Sequence, residues 1–200
     1  MAHWLTLSGQ ELQDAEADGT LGDLIPCCSS LYIWSREIRA PRRAYTDPDE
    51  FQKWINSVAA QTAAFIDSRD LAHCVKLTGI RIGGGKITEE KSSTLCRFSD
   101  DRRVRTYIID VVESLTHVTP PIYVGNANNF LERTKQHLRG ETELSAYLHE
   151  SLDMGWSEVK VQYINLSSQP SESYNAKALQ ELVELIGQRV LAPIGTKRPG

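Results

Sequence analysis

Pro121-Ile122-Tyr123-Val124-Gly125-Asn126-Ala127-Asn128-Asn129-Phe130-Leu131-Glu132-Arg133-Thr134-Lys135-Gln136-His137 changes its pattern once, and that change decides the fold. Ile122-Tyr123-Val124 is a short β-branched and aromatic run that reads as a strand stopped by Gly125. Asn128 or Asn129 then offers an N-cap, and a helix continues to about Leu138, with Gly140 to terminate it. Tyr123 therefore lies at the end of a strand that feeds a helix. Arg133 and His137, four residues apart, project from one face of that helix. An arginine, a histidine and a tyrosine converging at such a junction suit a phosphodiester, because the guanidinium fork matches phosphate oxygens bidentately. The plainer alternative is a helix with a solvated arginine and histidine.

Upstream, Leu31-Tyr32-Ile33-Trp34 reads as a strand and is followed by Arg36, Arg39, Arg42 and Arg43. Phe51, Trp54, Ile55, Val58, Thr62, Phe65 and Ile66 recur at helical spacing and predict an amphipathic helix over 49–67. Residues 73–82 and 94–98 read as two strands of a hairpin around a Gly-rich loop. Gly83-Gly84-Gly85-Lys86 in that loop lacks phosphate-loop spacing, and Ile87 stands where Ser or Thr is needed. Ser99-Asp100-Asp101 opens a helix whose Val104, Tyr107, Ile108, Val111, Val112 and Leu115 share one face, with Ser99 as its N-cap. Downstream come a helix over 141–153, a strand over 157–166 and a last helix over 174–191. That last helix buries Leu179, Leu182, Val183, Ile186 and Val190. The N-terminal Ser8-Gly9-Gln10-Glu11 has capping-box form and predicts a short helix starting near Leu12. The fold class is α/β of the α+β kind, a small sheet flanked by helices.

The chain has 200 residues, 40% hydrophobic and 24% charged, which is the composition of one globular domain needing no disulfide or metal staple. No apolar run is long enough to cross a bilayer, and the N-terminus has neither a basic nor an apolar signal-peptide region. These features predict a cytoplasmic protein without a membrane partner. Cys27, Cys28, Cys74 and Cys96 form no C-x-x-C motif, and the five histidines supply no zinc-ligand spacing. The net charge of −4 argues against nucleic acid until it is divided along the chain. Glu11, Asp14, Glu16, Asp18 and Asp23 give residues 1–25 a charge of −5, leaving +1 on the other 175.

Tyr123-Val124-Gly125, Asn129-Phe130, Arg133 and His137, seven positions at fixed offsets, resemble the core motif of the GIY-YIG nucleases. The resemblance covers about 120–198 plus one upstream strand that supplies a second tyrosine. Tyr32 is the favoured candidate, although 91 residues separate it from Tyr123. Tyr107, only 16 residues before Tyr123, is the alternative and lies in the predicted helix. The resemblance then implies a single domain in three parts: an acidic N-terminal extension (1–28), a large helix–hairpin–helix insertion (35–118) and a nuclease core (119–200). It also implies a late-helix glutamate that holds one divalent ion, Mg²⁺ or Mn²⁺, per site. Glu184, nine residues before Pro193, fits that spacing, with Glu181 as fallback; the family's following Asn is absent from Pro193-Ile194-Gly195-Thr196.

The implied activity is metal-dependent hydrolysis of DNA by Tyr32, Tyr123, Arg133, His137 and Glu184, in restriction, mobile-element or phage-defence biology. Arg36, Arg39, Arg42, Arg43, Lys135 and Arg139 are the candidate phosphate contacts, which position a duplex without reading bases. Arg97, Arg102, Arg103 and Arg105 lie in the insertion, and Lys197 and Arg198 near the end. Two alternatives stay open: a related module that binds nucleic acid or protein without cutting, and a nuclease acting on RNA. A homodimer would be natural if both strands are cut, since one site per chain cuts one strand.

Overall fold

A computed structural model describes residues 3–60, 65–72, 75–81, 87–117, 119–166 and 176–191. The chain divides into two compact units, one made of Met1–Glu37 with Thr119–Gly200, the other of Ile38–Val118.

The first unit is built on an antiparallel sheet of β1 (Leu5–Ser8), β2 (Ser30–Arg36), β5 (Tyr123–Ala127) and β6 (Val159–Asn165), in the order β1-β6-β2-β5. Strand β2 is central, flanked by β6 and β5, and Leu31, Tyr32 and Trp34 are all buried. Burial on both faces explains why its sequence is a continuous apolar run and not an alternation. One face carries Tyr32, Trp34, Val161 and Tyr163 against α1 (Gly9–Ala17), α6 (Phe130–Leu138) and α7 (Glu143–Ala146), with Leu12, Phe130, Leu144 and Leu148 in the core. The opposite face, which bears Val124 and Asn126, is met by α8 (Ala176–Leu191).

Several sequence expectations change here. The acidic N-terminal segment is no appendage: β1 pairs with β6, and Leu12, Ala15, Leu21 at the start of the short α2 (Leu21–Leu24) and Ile25 are core residues. The capping box forms as expected, with Glu11 N–H donating to Ser8 Oγ at 3.2 Å and Ser8 N–H to Glu11 Oε2 at 2.8 Å, but the helix already begins at Gly9. The helix expected over 141–153 is two pieces, α7 and a π-helical turn at Tyr147–Ser151. On α8, Leu182 and Ile186 are 52% and 51% exposed instead of buried. The side chains of Leu179 and Val190 lie outside the described residues.

The second unit holds α3 (Pro48–Ala60), α4 (Glu89–Ser99) and α5 (Arg102–Ser114), with a core of Ile38, Ala44, Phe51, Trp54 and Ile109, and also contains β3 (Phe65–Ala72) and β4 (Val75–Arg81). Asp47 caps α3 by accepting from Asp49 N at 2.9 Å, and Pro48 takes the first helical position. The helix expected to reach residue 67 is described as far as Ala60, and Phe65 and Ile66 belong to β3. The hairpin pairs β3 with β4. Thr94–Phe98, expected as its second strand, is helical in α4. Glu89 and Glu90 favour that helix's N-terminus, and Ser93 and Thr94 return their hydroxyls to the carbonyls of Glu89 and Glu90. Helix α5 is capped by Asp101, not Ser99: its Oδ1 accepts from Arg103 N at 2.8 Å. Tyr107 is 69% exposed, not on the buried stripe. Thr62, the Gly83–Lys86 motif, Cys74 and the terminal Lys197 and Arg198 lie outside the described residues. No helix among the described residues is long and apolar enough to cross a membrane.

Candidate active site

Strands β2 and β5 pair so that Tyr32 faces Gly125 and Trp34 faces Tyr123. Residues opposite one another share a face, so the two tyrosines are diagonal neighbours, their rings stacked with centroids 6.1 Å apart. Gly125 makes this packing sterically permissible. A Cβ there would lie 2.6 Å from Tyr123 Cε1 and 2.7 Å from Tyr32 Oη.

Helix α6 delivers the other two groups. Asn129 is its N-cap, accepting from Glu132 N at 3.1 Å, and Phe130 N–H donates to the carbonyl of Cys28 at 3.0 Å, tying the helix start to the approach to β2. Phe130, Thr134 and His137 form its buried face, and Phe130 stacks on Tyr32 with centroids 5.1 Å apart. The spacing of Arg133 and His137 then aims both at one oxygen. Arg133 Nε donates to Tyr32 Oη at 3.4 Å, and His137 Nε2 lies 3.2 Å from the same atom. On its other side, His137 Nδ1 is 2.7 Å from Thr142 Oγ1.

Burial sets the charge states. His137 is fully buried, and this together with the neighbouring Arg133 cation pushes its pKa down to about 3, so the imidazole is neutral. Burial and the adjacent Tyr123 push the Tyr32 phenol well above its ordinary value, against the opposing pull of Arg133, so it keeps its proton. Arg133 retains its charge: burial opposes it, but the bonds to Tyr32 and Tyr123 outweigh burial. A cleft of about 220 Å³ opens beside the cluster, with Tyr123, Arg133, His137 and Thr142 in its lining together with the carboxylates of Glu141 and Glu143.

Glu184 comes from α8, on the other side of the sheet, where the Asn126 side-chain amide donates to Glu184 Oε2. Burial raises the carboxyl's pKa, while the Asn126 donors and the charge of Arg133 lower it. Among the described residues, no group of three or more His, Cys, Asp or Glu side chains could hold a metal ion. A lone hard carboxylate still fits Mg²⁺ or Mn²⁺, since such ions commonly take one or two carboxylates and complete their shell with water and substrate phosphate.

Tyr32, Tyr123, Arg133 and His137 thus form one cluster, and Glu184 lies near enough for its charge to sense Arg133. The cations expected to hold nucleic acid are less concentrated than the sequence suggested. Lys135 pairs with Glu132 at 3.0 Å and Arg139 with Glu16 at 2.6 Å. Arg36 is half-buried at the end of β2, its pKa lowered by burial against the opposing pull of Glu158. Arg39, Arg42 and Arg43 belong to the second unit. Arg105 there is buried and donates to the carbonyls of Ser99, Tyr45 and Thr46, so it braces the unit and is no phosphate contact. Two residues escaped the sequence reading: Asn126, a polar residue inside a strand, and Thr142, whose signal was its N-cap position four residues before Ala146. No family model, curated protein or solved structure matches the chain significantly.

Proposed function

We propose that this chain is a metal-dependent phosphodiesterase. More particularly, we read it as a GIY-YIG-type endonuclease that hydrolyses DNA. The observation that carries the reading is the convergence on Tyr32 Oη of Arg133 Nε at 3.4 Å and His137 Nε2 at 3.2 Å, from positions 101 and 105 residues away in the sequence. The close packing of both tyrosines over Gly125 supports it further. A solvated surface pair would have no reason to meet a buried phenol from a separate strand.

Glu184 would hold the divalent ion, which when bound supplies Lewis-acid stabilisation of the scissile phosphate and its leaving oxygen. Arg133 binds a non-bridging phosphate oxygen; loss of one such preorganised contact costs about 3 kcal/mol of transition-state stabilisation. Tyr123, partly exposed in the cleft lining, positions the attacking water. Tyr32 is fully buried and protonated, so it orients Arg133 and Tyr123 without ionising. Neutral His137 holds Tyr32 in place.

A second reading, a module that binds nucleic acid without cutting, draws on the full burial of Tyr32. Supercoiled plasmid incubated with the purified chain separates the two. The nuclease reading expects nicking with Mg²⁺ or Mn²⁺ and none with chelator; binding without nicking supports the alternative. Duplex, branched and single-stranded DNA compared with RNA then identify the substrate.

A further inference from the structure

Beside the catalytic cluster, the start of α7 carries a hydrogen-bond arrangement whose hydrogens can be counted one by one. Thr142 caps α7 through a capping box: Ser145 N–H donates to Thr142 Oγ1 at 3.4 Å and Thr142 N–H to Ser145 Oγ at 3.1 Å. Ser145 Oγ also donates its own hydrogen to the Thr142 carbonyl at 2.7 Å. The two hydroxyl oxygens lie 3.0 Å apart, and Thr142 Oγ1 is 2.7 Å from His137 Nδ1. Because the Ser145 hydrogen is already engaged, the hydrogen between the two hydroxyls is that of Thr142. The one between Thr142 Oγ1 and His137 Nδ1 must then belong to the imidazole.

We infer that the Thr142–Ser145 capping box holds His137 as its Nδ1–H tautomer, which leaves the Nε2 lone pair to accept the hydroxyl hydrogen of Tyr32. Thr142 is thereby a positioning residue for the site. With its hydrogen committed to His137 at 3.2 Å, Tyr32 Oη presents its lone pairs to the Arg133 Nε–H at 3.4 Å and toward Tyr123. Every contact in the chain Tyr32–His137–Thr142–Ser145 then carries one hydrogen. In the opposite tautomer the Thr142 hydrogen goes to Nδ1, so the single Ser145 hydrogen has to serve both the 3.0 Å contact to Thr142 Oγ1 and the 2.7 Å contact to the Thr142 carbonyl, and both Arg133 and His137 become donors to the phenol oxygen. Ser145 is 1% exposed and His137 0%, so both ends of this arrangement are shielded from water, while the half-buried Thr142 between them borders the cleft. The role in cleavage rests on the nuclease reading, whereas the tautomer does not.

The test is ¹⁵N NMR of histidine-labelled full-length chain near neutral pH. The expected result is an unprotonated Nε2 and a protonated Nδ1 for His137, retained in Thr142→Ser and lost in Thr142→Val. Ser145→Ala, which keeps the Thr142 cap, frees the threonine hydrogen to turn toward Nδ1 and is expected to move His137 toward the Nε2–H form. A protonated Nε2 in the wild-type chain overturns the inference, as does an unchanged tautomer in folded Ser145→Ala. Plasmid cleavage by Thr142→Val is expected to fall about 10- to 100-fold in kcat with KM little changed, and Thr142→Ser to restore it. If the wild-type chain does not cleave, the nuclease reading fails and the NMR result still decides the tautomer. If wild-type and Thr142→Val chains cleave equally, the positioning role fails and the nuclease reading stands.

Discussion

The Tyr32 hydroxyl lies 3.2 Å from His137 Nε2 although 105 residues separate them, because β2 and β5 lie side by side and α6 folds back over their shared face. Removing that one oxygen isolates its contribution. Tyr32→Phe keeps the ring packed on Phe130 and Tyr123 and leaves His137 Nε2 and Arg133 Nε without this partner. The expected stability loss is about 1–3 kcal/mol, and cleavage should fall by roughly 100-fold, a size typical of misplacing a catalytic group. Thermal unfolding and single-turnover cleavage, measured on the same preparation, check both. Unchanged cleavage would reduce Tyr32 to a packing residue.

Gly125→Ala tests whether the tyrosine pair must lie this close to the β5 backbone. The new methyl would sit 2.6 Å from Tyr123 and 2.7 Å from Tyr32, inside any tolerable contact. Both rings must shift, at a cost of about 1–3 kcal/mol by the usual measure of overpacking. Activity should be lost by more than that stability change accounts for, read as cleavage at a temperature where the variant remains folded.

His137 makes stability depend on pH in a defined direction. Its folded pKa is lowered to about 3, so between that value and about 6.5 the unfolded chain binds the extra proton. The stabilising contribution of a neutral, buried His137 is therefore fully present above about pH 6.5 and lost as pH falls toward 3, by at most about 1.4 kcal/mol per pH unit. Denaturant unfolding of wild-type and His137→Gln chains from pH 7 to 4 checks this. The variant should be less stable at pH 7 and should lose stability less steeply on acidification.

Glu184 behaves in the opposite sense. Burial raises its folded pKa, so the folded chain holds the proton more tightly, and stability declines as pH rises through that folded pKa. Glu184→Gln should consequently unfold at the same or a higher temperature at pH 7 while metal-dependent cleavage is abolished. A marked loss of stability would instead make the Asn126–Glu184 bond a structural fastening.

Glu16 engages Arg139 on the surface, and exposed pairs of this kind add little to stability because solvent and salt screen them. Glu16→Ala should leave stability nearly unchanged while releasing a cation beside α6. Nucleic-acid affinity should rise and depend more steeply on salt, measured by fluorescence anisotropy across a salt series.

The motif-bearing part of the fold was legible because its signals are local: the Tyr123–Gly125 run, the Asn129 cap and the four-residue spacing of Arg133 and His137. Tyr32 was legible as a strand residue, yet its meeting with His137 depends on strand pairing across more than 90 residues, which periodicity alone does not encode. The Thr94–Phe98 segment misled because its apolar residues suit a strand, whereas Glu89 and Glu90, which favour the N-terminus of the helix it belongs to, lie before it. Leu182 and Ile186 followed a sound helical stripe that the described structure leaves half exposed. Asn126 and Thr142 were missed for a different reason. Their partners, Glu184 and His137, lie on separate elements, and neither strand polarity nor a cap identifies a partner.

The most direct test of the central claim is single-turnover cleavage of supercoiled plasmid by the wild-type, Arg133→Ala and Glu184→Gln chains, with Mg²⁺ and with chelator. Nicking by the wild-type chain with Mg²⁺ alone, and a loss of about 100-fold or more in both variants while they remain folded, is the predicted result. Cleavage that persists in both folded variants, or a wild-type chain that binds DNA without nicking it under any divalent ion, would contradict the account.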